Sequence, residues 1–93
     1  MRVAWVPRAQ ADLRAISEHI AADDLGAALR VADRIYNLAK RLADHPRLGR
    51  PGRLAGSREL VVSGSPYLVI YRIRAADVEI IRIIHGAQNW PPE

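Results

Sequence analysis

Cysteine is absent from the sequence, which excludes disulfides and cysteine-ligated zinc and suits the reducing cytoplasm, the expected compartment. Long apolar runs are absent too. Nothing approaches the roughly 20 residues that span a bilayer, and Met1–Val6 has neither the charge nor the apolar stretch of a secretion signal, so no membrane partner is expected. There is no glycine-rich phosphate loop, and His19, His45 and His85 lack the paired spacing of metal ligands. Neither a cofactor nor a metal is expected. Ser17, Ser57, Ser63 and Ser65 have no base placed near them by the sequence, which leaves no case for a serine hydrolase.

Lysine is reduced to Lys40, and the other 13 of the 14 basic residues are arginine in a chain of net charge +4. A guanidinium is a planar five-donor fork suited to carboxylates and phosphates, and it is less costly than an ammonium to desolvate. The composition therefore points to an acidic partner. With 93 residues, 49% hydrophobic and 26% charged, the balance is that of a folded chain with material for one core, so residues 1–93 are read as a single domain.

Hydrophobic spacing places the elements. Arg2–Val6 alternates and is stopped by Pro7, as a short strand does. From Pro7 onward Ala9, Leu13, Ile16 and Ile20 recur every three or four residues, which predicts a helix to about Ala22. Asp23 and Asp24 offer an N-cap to a longer helix with the stripe Ala28, Val31, Ile35, Leu38 and Leu42, ended by Pro46. The short link between them predicts an antiparallel hairpin.

His45–Leu54 holds two prolines, two glycines and three arginines, and reads as a surface loop and the most mobile segment. Arg58–Val62, Tyr67–Arg74 and Val78–His85 are rich in Val, Ile, Leu and Tyr. Gly64-Ser65-Pro66 and Ala75-Ala76-Asp77 separate them at hairpin length, so they form a three-stranded antiparallel meander. The fold class is α+β: an N-terminal strand that joins the sheet, an antiparallel helical hairpin over one face, and the meander. The tail from Gly86 to Glu93 packs through Trp90.

Strand alternation assigns side chains to faces. Tyr67, Val69, Tyr71 and Ile73 share one side, with Leu68, Ile70, Arg72 and Arg74 on the other. In the last strand Val78, Ile80, Arg82 and Ile84 alternate with Glu79, Ile81, Ile83 and His85. A solvated face accounts for Arg74 and Glu79. Arg72 and Arg82 lie inside apolar runs where a bare charge is costly, so each is either paired or ligand-facing, or else a bland surface charge. His85 is placed either for proton transfer near neutrality or as a polar end to its strand. Trp90 serves either the tail or a partner.

Arg58-Glu59-Leu60, Tyr67-Leu68-Val69-Ile70-Tyr71-Arg72-Ile73 and Val78-Glu79-Ile80-Ile81-Arg82-Ile83-Ile84-His85-Gly86, preceded by two helices, resemble the RelE/ParE toxin superfamily over nearly the whole chain. The resemblance implies a toxin of a type II toxin–antitoxin system, neutralised by an antitoxin with an acidic, wrapping tail and directed at either the ribosome or DNA gyrase. On that overlay the catalytic basic positions of RelE nucleases fall on Glu59, Val61 and Leu68, and a late arginine falls near Gly86. None of these is basic, which favours the ParE branch: a gyrase inhibitor with no catalytic residues of its own, using Arg58, Arg72, Arg82, His85 and Trp90 as a target- or antitoxin-binding surface. The alternatives are a ribosome-dependent messenger endoribonuclease using Arg72, Arg82 and His85, and a non-toxic member that binds only its antitoxin.

Overall fold

The computed structural model describes residues 1–92; Glu93, the last residue of the expected tail, lies outside the described residues. The elements follow the order β1 (Arg2–Trp5), α1 (Pro7–Ala21), α2 (Leu25–Asp44), β2 (Arg50–Pro51), β3 (Arg58–Val61), β4 (Tyr67–Arg74) and β5 (Asp77–His85). Pro7 opens α1 at its first turn, where its missing N–H costs nothing. Asp24 caps α2, its carboxylate accepting from the Ala27 amide at 3.0 Å.

The strands form one mixed sheet in the order β1-β5-β4-β3-β2. β1 joins it parallel to β5, with Arg2 opposite Asp77 and Trp5 opposite Ile80, while the remaining pairs are antiparallel. The helical hairpin covers one face. There Ala9, Leu13, Ile35, Ala39 and Leu42 interlock with Val62, Tyr67, Val69, Tyr71, Val78, Ile80 and Ile83. Full burial of each large side chain in this layer contributes roughly 1.5–3 kcal/mol.

Leu68, Ile70 and Ile84 point to the other face, where Trp90 covers them and Ile81 packs alongside. The expected alternation of β5 breaks here. Ile70 is opposite Arg82 but Tyr71 is opposite Ile80, so Ile81 is an extra residue, a β-bulge. The bulge puts Arg82 on the side away from Ile80 and lets Ile83 rejoin the helix-facing core, because one inserted residue flips every side chain after it.

The segment expected as an unstructured loop contains β2 and is tied down from inside. The Tyr71 hydroxyl donates to the Pro46 carbonyl at 2.7 Å and accepts from the Gly49 amide at 2.8 Å. Burial raises the Tyr71 pKa against the opposing pull of the Gly49 amide and the Arg58 charge. Gly49 must stay small, because a Cβ there would stand 2.8 Å from the Tyr71 ring and 2.9 Å from the Glu59 carbonyl.

Candidate functional site

Each residue expected to carry chemistry has an internal partner or a packing role. Arg58, opposite Tyr71, donates to the Gly49 carbonyl at 2.7 Å and so holds the loop before β2. Arg72 reaches across the hairpin to Glu79, Nε to Oε1 at 2.7 Å. Arg82 is the most enclosed of the ion-paired arginines: its Nε donates to Asp12 of α1 at 2.7 Å, with the two side chains only 15% and 9% exposed. The same carboxylate oxygen accepts the Ile83 amide at 3.0 Å.

That second bond has a topological cause. β1 ends at Trp5, opposite Ile80, so beyond it the edge of β5 has no strand partner, and Asp12 satisfies a backbone donor there. The Arg82 guanidinium carbon also stands 5.3 Å from the Trp90 ring centroid, within cation–π range. Trp90 is 9% exposed, and its indole N–H is buried without an acceptor among the described residues.

His85 is exposed at the end of β5, its ring edge-on to Tyr67 at 5.6 Å. Its Nδ1 accepts from the Ala87 amide at 3.0 Å, which leaves Nε2 as the ring's donor in the neutral form. His85 pairs with Tyr67, which faces the helices, whereas Arg72 pairs with Glu79 on the opposite face and five positions along β4. At about 3.4 Å per residue that separation is roughly 17 Å. His85 therefore does not converge with Arg72 on one phosphate, and Arg82, on the same face as Arg72, is already held by Asp12.

Sequence reading missed a carboxylate at the centre of the β2–β3 corner. Glu59 is 3% exposed and accepts from the Arg53 amide at 2.9 Å, from the Arg53 guanidinium at 3.1 and 3.3 Å, and from Arg50 at 3.3 Å. Burial alone would raise its pKa, but the Arg53 and Arg50 hydrogen bonds outweigh that and hold it below the ordinary glutamate value. Among the described residues, no three His, Asp or Glu side chains gather as a metal site, and no helix is long and apolar enough to cross a membrane.

Among the described residues, α2 carries an exposed apolar stripe. Leu25, Leu29 and Tyr36 are 65, 61 and 50% exposed, and with Ala32 they follow the i, i+4, i+7, i+11 spacing of one helical face. Tyr36 leans on Trp5 of β1 at 5.5 Å between ring centroids. On one side of this pair is a cleft of about 540 Å³ lined by Gln10, Arg14, Ser17 and Ala32; on the other is one of about 340 Å³ lined by Val3, Lys40 and Ala43. An apolar stripe with aromatic members and a cationic rim has the composition of a protein-binding face. The signal was in the sequence as a second apolar period on α2, left over once Ala28, Val31, Ile35, Leu38 and Leu42 were assigned to the core.

Comparison with known proteins shows the family. A protein of Sinorhizobium fredii named "Putative toxin Y4kP" is 44% identical over 90 residues, spanning 97% of this chain and 93% of its own length. "Toxin RelE2" of Caulobacter vibrioides is 41% identical over 87 residues, spanning 94% of this chain and 97% of its own. A solved structure described as a chromosomal ParDE toxin–antitoxin system from P. aeruginosa superposes with a TM-score of 0.82 at 28% identity, covering 91% of this chain and 95% of that one. Residues 3–90 match the family described as the ParE toxin of the type II toxin–antitoxin system, parDE. The chain belongs to the ParE toxin family.

Proposed function

We propose that this toxin inhibits DNA gyrase by binding, without catalysis of its own, and that its antitoxin neutralises it by covering the Leu25, Leu29, Ala32 and Tyr36 stripe of α2. The observation that carries the first half is the dispersal of Arg72, Arg82 and His85: two are ion-paired within the fold, and the third faces the other side of the sheet. A nuclease needs its donors aimed together at the charge that develops on the phosphate. In this reading Arg72, whose side chain is 43% exposed, and exposed His85 are available to a partner. Arg58, Arg82 and Trp90 keep the surface in shape.

The test is gyrase supercoiling and cleaved-complex formation with and without the purified chain, run beside a ribosome-dependent messenger-cleavage assay. Inhibition with trapped, cleaved DNA is the expected result. Intact gyrase with cut messenger would overturn it in favour of an endoribonuclease. No effect in either assay would also overturn it, and would leave a family member that only binds its antitoxin.

A further inference from the structure

Eight of the arginines have a carboxylate within ion-pair distance. Among the described residues Arg14, Arg34, Arg41, Arg47 and Arg58 have none. Arg34 and Arg41 border a hollow of about 220 Å³ with Leu38 at its base. Arg41 and Arg47 border a second, of about 560 Å³, lined by His45, Pro46 and Leu48. Arg41 is common to both, so the two hollows adjoin there, and we treat them together as one trough.

The trough follows one face of α2: Arg34, Leu38, Arg41 and His45 have the spacing i, i+4, i+7 and i+11. Arg34 is steadied by the Ser63 carbonyl at 3.2 Å, which offsets none of its charge. Asp33 and Asp44, beside this stripe on the same helix, make no ion pair among the described residues. The apolar base and the cationic rim are set by different residues, so an occupant must satisfy both.

We infer that this trough binds an acidic, aliphatic peptide segment, with a leucine-like side chain on Leu38 and Leu48 and carboxylates on Arg34, Arg41 and Arg47. Arg34 and Arg41 are seven residues apart, about 10 Å along the helix axis, which sets the spacing of the two carboxylates they receive. Charge complementarity of this kind gives fast, salt-sensitive association. Single-stranded nucleic acid fits less well, because it draws affinity from successive bases stacked on aromatic rings and no Phe, Tyr or Trp lines either hollow. The donor is the antitoxin's acidic segment; only that identity rests on the toxin–antitoxin reading, not the chemistry of the trough.

The test uses the full chain and a fluorescein-labelled helical peptide with glutamates at seven-residue spacing around a central leucine, read by anisotropy. Arg41→Ala, which touches both halves, is expected to weaken binding roughly tenfold, as a charged anchor at an interface does. Arg74→Ala removes the same charge from an exposed site on β4 and is expected to leave binding within about twofold. Equal losses in the two variants would mean attraction by net charge alone and overturn the inference. So would tighter binding of a labelled DNA duplex that Arg41→Ala abolishes. Arg41 is exposed on a helix, so matched thermal melts separate lost binding from lost fold. A gyrase result is independent of both variants: inhibition that persists while the peptide fails to discriminate Arg41 sinks the trough and leaves the proposed function standing.

Discussion

Asp12 does three things with one carboxylate: it pairs with Arg82, takes the Ile83 amide at the unpaired edge of β5, and receives Arg8 at 3.1 Å from the preceding helical turn. Because Asp12 and Arg82 are both largely enclosed, removing one partner leaves a charge with nowhere to go. Asp12→Ala is expected to destabilise the fold by about 3–5 kcal/mol, the usual cost of orphaning a buried ion. In a domain of this size that is a large share of the total stability. Urea unfolding checks it, and the paired replacement Asp12→Ala with Arg82→Met should cost less than Asp12→Ala alone, since no bare charge remains. If the double variant is the less stable, the pair is worth more than its apolar substitute and the desolvation argument fails. The neighbouring Trp90 indole N–H, buried with no acceptor among the described residues, marks the same corner as one where packing and the Arg82 cation outweigh a missing hydrogen bond.

At the scale of elements, the β2–β3 corner depends on the ionised form of Glu59. Its folded pKa lies below the ordinary 4.5, so the unfolded chain takes up the proton first. The stability Glu59 contributes is complete above about pH 4.5 and is lost as pH falls through the lowered folded value. Glu59→Gln should therefore lower the melting temperature at neutral pH and flatten its decline toward about pH 3 relative to the unchanged chain; parallel acid limbs would show that the carboxylate is not what holds the corner. This corner also shows where sequence reading stops. The helices and long strands were legible because their apolar periods are local: Leu13 with Ile16 and Ile20, or Val69 with Tyr71. β2 was not, because Arg50–Pro51 has no strand-like pattern and is fixed by Glu59 and Tyr71, residues 9 and more positions away. The bulge at Ile81 was hidden for a similar reason. Val78 to Ile84 carries isoleucines on both faces, Ile80, Ile81, Ile83 and Ile84, so alternation alone cannot show where one residue slips. Of the candidate site, the arginines were visible as residues but their partners were not, since Asp12 and Arg82 lie 70 positions apart.

At the scale of the molecule, two surfaces on one helix stay largely exposed among the described residues: the Leu25, Leu29 and Tyr36 stripe, and the cationic trough behind it. A free chain of this size with so much exposed apolar surface on α2 gains by being covered, and a ligand that binds only the folded state raises stability in proportion to its free concentration over Kd. Surface substitutions distant from buried features usually change stability by no more than about 0.5 kcal/mol, so Leu29→Glu, at a side chain 61% exposed, should leave the fold intact. It should nonetheless place a charge in the middle of the proposed antitoxin face, where an unpaired, desolvated carboxylate costs far more than it does in water. The expected phenotype is therefore split. Cells expressing Leu29→Glu arrest growth as with the unchanged toxin, but co-expression of the antitoxin no longer rescues them. Rescue that persists would place the antitoxin elsewhere on the chain, while loss of arrest with a normal melting curve would mean that the toxin meets its target through the same stripe by which it is held silent.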